Sequence, residues 1–278
     1  MQKKSALSLD LPTGLPEGIR HILRRAADST AAAIAFAGLI LIWELACRWG
    51  SVPVWLLPAP SLILGELWKS RGIIPPHLVA TTIEVVGGFG LAVLAGIPLS
   101  IVICSSIVAR KLTYPVLLVL QSVPKVALAP IILLWVGYGT GSKILIAAVT
   151  AFFPIIVNTT AGMDVVPAEL LQLSRSLGSS ALKVFWKVRI PFAMPYVFSG
   201  MKVAMALALI GAVVGEFVGS DKGLGYLILT FLSTNDTAMV FAGMALLSVL
   251  GVILFYAVCA AERFFCPWYR SSESDPII

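Results

Sequence analysis

The sequence predicts an all-α polytopic membrane protein with about six transmembrane helices and one sizeable loop on the inner face. Three observations lead there. Charged side chains make up 12% of the 278 residues, about half the share of an ordinary soluble domain. Hydrophobic residues make up 59%, so too little polar surface remains to wet a globule and lipid must be the solvent for much of the chain. Six apolar stretches approach the ~20 residues that a helix rising ~1.5 Å per residue needs to cross hydrocarbon. They carry Gly and Pro inside them and lack the ten-residue alternation of an outer-membrane barrel.

In chain order, residues 1–28 form a polar, basic segment holding Lys3, Lys4, Arg20, Arg24 and Arg25. No convincing small-x-small cleavage site follows it, which predicts an uncleaved first span at 30–49 and a spanning domain of 29–262. Residues 50–78 carry Pro53, Pro58 and Pro60, then Leu62, Ile63, Leu67 and Trp68; that spacing predicts a short helix on the outer interface, with a plain loop as the alternative. Spans at 79–106, 112–136 and 143–162 lead to the loop 163–191. Spans at 194–219 and 238–262 precede a tail of 263–278. Gly211, Gly215 and Gly219 repeat every four residues, as do Gly88, Ala92 and Gly96. Such faces let a helix approach closely, either within the chain or, beside Glu216, at a twofold axis between two copies.

Basic residues orient the bundle. With both termini inside, the inner segments hold Lys3, Lys4, Arg20, Arg24, Arg25, Arg110, Lys111, Arg175, Lys183, Lys187, Arg189, Arg263 and Arg270; the outer ones hold Arg48, Lys69, Arg71, Lys143 and Lys222. The bias predicts both termini in the cytoplasm. It also explains the net charge of +6 as membrane topology, with no nucleic-acid partner implied.

Little catalytic chemistry is available. Cys47, Cys104, Cys259 and Cys266 form no C-x-x-C pair, and His21 and His77 stand alone, so no metal site is expected. No clustered His/Asp/Glu or Ser/His/Asp set lies within the spans, and no catalytic residue is assigned. The nearest imitation of a phosphate-binding loop, GYGTGSK at 137–143, fails the required spacing.

The loop 163–191 resembles neither span nor linker. From Pro167, with Glu169 near the positive helix end, AELLQLSRSLG predicts a short amphipathic helix stopped at Gly178. SALKVFWKVR predicts a second, with Leu182, Phe185 and Trp186 on one side and Lys183, Lys187 and Arg189 on the other, ended by Pro191 and Pro195. Two short helices at a sharp turn make a knob, suited to a groove in another protein or to a membrane-surface anchor.

The positions Gln172, Leu173, Ser174, Gly178, Val188, Ile190 and Pro191 resemble the E-A-A-x-x-x-G-x(9)-I-x-L-P pattern of permeases of bacterial ATP-binding cassette (ABC) importers. The Gly, the last Pro and the spacing are kept, while E-A-A reads Q-L-S. Further stretches, LLPAPS at 56–61, GFGLAVLAGIPLS at 88–100, PKVALAPIILLWVGYGTGSK at 124–143, AFFPIIVNTTAG at 151–162 and GEFVGSDKGLGYLI at 215–228, are similar to the subfamily importing nitrate, sulfonates, taurine, bicarbonate and vitamin-precursor heterocycles. The resemblance implies a non-catalytic transmembrane subunit in the bacterial inner membrane. It implies a second permease copy, two ABC ATPase subunits that bind the ATP and Mg, a solute-binding protein and surrounding membrane lipid, with no cofactor on this chain. It also implies that the knob couples to the ATPase; Glu169, Leu170, Gln172, Leu173, Gly178, Phe185 and Trp186 are the residues assigned. A secondary transporter is the competing reading, although no self-similarity at half length is visible.

Candidates for the translocation path are Lys125, Glu84, Glu216, Gln121 and Asn158. A lysine at mid-span costs about 2.5–3.5 kcal/mol on insertion scales unless it is paired or wet. Lys125 is therefore expected either to pair with Glu84 or Glu216 or to present its charge to an anionic solute or gate.

Overall fold

The computed structural model describes residues 17–50 and 52–269, and every regular element among them is helical. The chain divides into two units, residues 1–65 and 66–278.

In the first unit, α1 (Glu17–Trp49) starts well before the expected residue 30, so part of the segment assigned to a cytoplasmic tail is helix continuous with the span. Residues 1–16 of that segment lie outside the described residues. Ile34, Phe36, Leu39 and Ile42 are exposed along α1, as suits a helix solvated by lipid. After the prolines comes the expected short helix, α2 (Pro60–Lys69). Glu44 Oε2 accepts the Ser61 N–H at 2.9 Å and Glu44 Oε1 accepts the Ser61 hydroxyl at 2.7 Å, while Arg48 Nε lies 2.5 Å from the same carboxylate. A carboxylate at the first turn of α2 satisfies an orphan N–H and meets the positive end of the helix.

The second unit contains α3 (Ile74–Ser105), α4 (Ile107–Ser122), a 3-10 turn (Lys125–Leu128), α5 (Ala129–Val136), α6 (Thr140–Asp164), α7 (Ala168–Ser176), α8 (Ala181–Val184), α9 (Ile190–Gly219), α10 (Leu224–Ser233) and α11 (Thr237–Phe265). Among the described residues, four helical stretches are long and apolar enough to cross a membrane: Ile74–Ser105, Thr140–Asp164, Ala181–Gly219 and Thr237–Phe265.

Three features differ from expectation. The span expected at 112–136 is broken after Ser122, because Pro124 has no N–H to donate and holds the residue before it away from helical geometry; the chain restarts as the 3-10 turn and the eight-residue α5. Conversely, Pro191 and Pro195 do not end the second loop helix. A π-helical turn at Phe185–Arg189 joins α8 to α9, with the Ile190 N–H reaching Phe185 O, and Pro191 falls in the first turn of α9 where its missing donor costs little. The result is one helical path of 39 residues, Ala181–Gly219. Third, α10 is an additional ten-residue apolar helix in a stretch that had no element assigned.

The centre is α6, packed against both α3 and α9, which also meet each other. Ala147, fully buried, lies where both small-residue faces converge. A Cβ on Gly88 would stand 2.9 Å from Ile144 O, and one on Gly211 would stand 2.8 Å from Ala147 Cα. The glycine faces thus serve contacts inside the chain. The alternative that placed Gly211 and Gly215 at an axis between copies is overturned, since α6 of the same chain occupies that face.

Candidate functional site

The loop between α6 and α9 is built around one turn. Gly178 has φ +71, its N–H donates to Arg175 O at 2.9 Å and the Ser179 N–H donates to Ser174 O at 3.1 Å. This bond pair is the Schellman motif, which closes the last carbonyls of a helix and favours glycine at the left-handed position. No atom crowds a Cβ there, so a side chain would meet backbone strain alone. Gly178→Val is expected to weaken the turn by about 1–2 kcal/mol and to speed tryptic cleavage after Arg175 about tenfold, with Gly178→Asn close to wild type. Equal cleavage of Gly178→Val and wild type would show that the turn does not hold the loop.

Around this turn the assigned coupling residues separate into two sets. Gln172, Leu173 and Trp186 are exposed, as is Glu169 in the first turn of α7; Leu170 and Phe185 are half-buried. The Phe185 and Trp186 rings meet edge to face at 5.7 Å. Leu177 and Leu182 are also exposed, at 75% and 68%, and extend the apolar tip. Leu177 adds to the residues assigned from the sequence, and its signal there is a leucine next to a helix-stopping glycine. A cleft of about 250 Å³ lies in the loop, lined by Leu171, Arg175, Val184, Phe185 and Arg189.

The path candidates do not converge. Lys125 pairs with neither Glu84 nor Glu216; its ammonium sits over the Phe153 ring, 4.9 Å from the centroid. The break at Pro124 turns Lys125 toward α6, where a cation over an aromatic face gains electrostatic stabilisation. It lines a nearly all-apolar cavity of about 570 Å³ with Leu91, Ala95, Val123, Phe152 and Phe153. Gln121 lies on a second cavity of about 570 Å³ with Lys111, Leu117, Thr160 and Asp164. Asn158 donates to Pro154 O at 2.9 Å, a bond within its own helix.

Glu84 and Glu216 belong instead to a buried network at the opposite end of α6 from the loop. Lys143, placed by sequence in an outer connection, is 3% exposed, with its Nζ 3.1 Å from Glu84 Oε1 and 2.5 Å from Ser220 Oγ. Glu216 Oε1 accepts from Thr81 Oγ1 at 2.6 Å and Oε2 accepts the Gly225 N–H at 2.5 Å. Thr81 Oγ1 accepts the Leu224 N–H at 2.8 Å, and His77 Nδ1 accepts that of Gly223 at 3.1 Å. Three consecutive N–H groups at the start of α10 therefore find acceptors on α3 and α9, as a helix end without water requires. At the other end, Lys202 Nζ lies 2.8 Å from Glu262 Oε2 and ties α9 to α11. Among the described residues no His/Cys/Asp/Glu group could hold a metal ion. Among the described residues the geometry offers ties between helices and an exposed knob.

Residues 88–263 match the family model described as "Binding-protein-dependent transport system inner membrane component". The chain is 32% identical over 249 residues to the formylaminopyrimidine transport permease protein ThiX of Halalkalibacterium halodurans, covering 89% of this chain and 99% of that protein. It is 34% identical over 235 residues to the riboflavin transport system permease protein RibX of Chloroflexus aurantiacus, with 84% and 88% covered, and 34% identical over 242 residues to the putative aliphatic sulfonates transport permease protein SsuC of Bacillus subtilis, with 85% and 87% covered. A solved structure of the MetNI methionine ABC transporter in inward-facing conformations has a chain of the same fold, with TM-score 0.53, 21% identity and coverage of 77% of this chain and 99% of that one.

Proposed function

This chain belongs to the family of binding-protein-dependent transport system inner membrane components, and from that premise we propose that its α7–α8 knob receives the stroke of an ATPase subunit and passes it to the spans. The chain is a multi-pass permease of an ABC importer. Two permease copies enclose one path, two ATPase subunits bind and hydrolyse ATP on the inner face, and a solute-binding protein delivers cargo from outside. The observation that carries the reading is the unbroken helical path Ala181–Gly219: its first residues are in the knob and its last reach the network around Glu216, so a push on Trp186 tilts α9 as a lever.

The cargo is a small solute, either an oxyanion or organosulfonate or a vitamin-precursor heterocycle, in keeping with the formylaminopyrimidine, riboflavin and aliphatic sulfonates named for relatives of this chain. The cavities beside Lys125 and Gln121 are the parts of the path within one copy. Both termini face the cytoplasm, which places the knob inside and the connection at 137–141 outside. In a cysteine-free background, Ser176→Cys should react with an impermeant maleimide only in inverted vesicles and Gly141→Cys only in intact cells; both positions are exposed. Labelling of Ser176→Cys from outside would put the knob out of reach of ATP and end the proposal.

A further inference from the structure

The knob carries more positive charge than a purely apolar plug needs. Between Pro167 and Ile190 stand Arg175, Lys183, Lys187 and Arg189 against a single carboxylate, Glu169. Among the described residues none of these four cations has an ion pair or side-chain hydrogen bond within the chain. Two of them, Arg175 at the end of α7 and Arg189 in the π-helical turn, line the same cleft, with Leu171, Val184 and Phe185 as its apolar part. Its volume of about 250 Å³ is below the roughly 300–1,000 Å³ of small-molecule sites and suits a protruding side chain.

We propose that this cleft binds a carboxylate side chain of the ATPase subunit, so that the permease supplies the cations and the ATPase the anion of a central docking pair. The inference rests on the reading of the knob as the ATPase dock. Guanidinium groups grip a carboxylate through paired N–H donors, and the apolar lining accommodates the methylenes of an incoming Glu or Asp. Gln172 stands where the resembled pattern has Glu, so the knob has no carboxylate of its own at that position. An anionic bilayer surface is the weaker fit: Glu169 would face like charge there, whereas a protein groove of mixed sign can meet both Glu169 and the cations. Leu173, Leu177 and Trp186, exposed around the charges, supply the apolar part of such a contact.

The test uses the full-length permease in nanodiscs and the ATPase subunit that co-purifies with it, with dissociation constants measured across a salt series. Arg175→Gln combined with Arg189→Gln should weaken binding tenfold or more and flatten its salt dependence, while the double Lys variant, which keeps the charge but loses the paired donors, should keep the salt dependence and bind between the two. Arg175→Glu should be rescued by one Asp/Glu→Lys change on the ATPase surface, found by scanning its carboxylates singly. If the double Gln variant binds normally while Trp186→Ala weakens binding, the carboxylate pairing is wrong and the dock stands. If neither change alters binding, the dock itself is wrong. If the Gln changes alter only quenching of Trp186 fluorescence in discs containing phosphatidylglycerol, the cations serve the membrane and the proposal is overturned.

Discussion

Lys143→Met is expected to lower the thermal midpoint of the solubilised permease by on the order of 10 °C. Glu84, 1% exposed, has its ion pair with Lys143, and removing one partner of a buried pair costs about 3–5 kcal/mol because the remaining charge is left uncompensated. At about 2–4 °C per kcal/mol for a domain of this size, the shift is well outside measurement error. Glu84→Gln in the same chain should restore most of it by removing the stranded charge. Glu216→Gln should restore less, since the Glu216 carboxylate accepts both the Thr81 hydroxyl and the Gly225 N–H and its loss frees the start of α10. A Lys143→Met protein that melts within about 2 °C of wild type would mean that Lys143 reaches water and that the network contributes little.

Gly211→Leu is expected to leave membrane insertion intact and abolish the folded permease. A leucine makes the span more apolar, so insertion is not penalised. Packing fails because its Cβ would fall 2.8 Å from Ala147 Cα and from Thr150 Oγ1, and the backbone of α6 cannot shift at Ala147 without disturbing its close contact with Gly88 of α3. Overpacking typically costs about 1–3 kcal/mol and more where backbone must shift. Solubilised Gly211→Leu should aggregate in size-exclusion chromatography, whereas Ile210→Leu, at a position 51% exposed on the same helix, should elute and melt like wild type. A monodisperse Gly211→Leu protein with a wild-type midpoint would show that α6 and α9 are further apart than the contact at Ala147 requires.

How much of the candidate site was legible depended on how local its signal was. The turn at Gly178 was readable because a glycine after an amphipathic stretch is a short-range pattern, and the apolar tip was mostly readable for the same reason. The break in the third span was signalled by Pro124 but was overridden by the hydropathy around it. Pro191 gave the opposite error, because the π-helical turn that absorbs a missing donor has no local sequence mark. Lys143 stands at the start of a span, so its position along the chain reads as an outer-loop cation, and nothing near Lys125 in the chain tells that Glu84 and Glu216 have partners on other helices.

The solvent, the all-helical class and the position of the knob along the chain were legible in the sequence alone. Each of these depends on windows of about twenty residues or fewer, over which apolar content, periodicity and helix-stopping residues act. Only the tertiary structure decided which charges meet. Thr81 and Glu216 lie 135 residues apart in the chain and Lys143 and Ser220 lie 77 apart, and no local pattern selects such pairs. Once hydrocarbon surrounds the helices, a buried polar group is costly without a hydrogen-bond partner or an opposite charge within about 3 Å, and the packing of α3, α6 and α9 through Gly88, Ala147 and Gly211 sets which groups are that near.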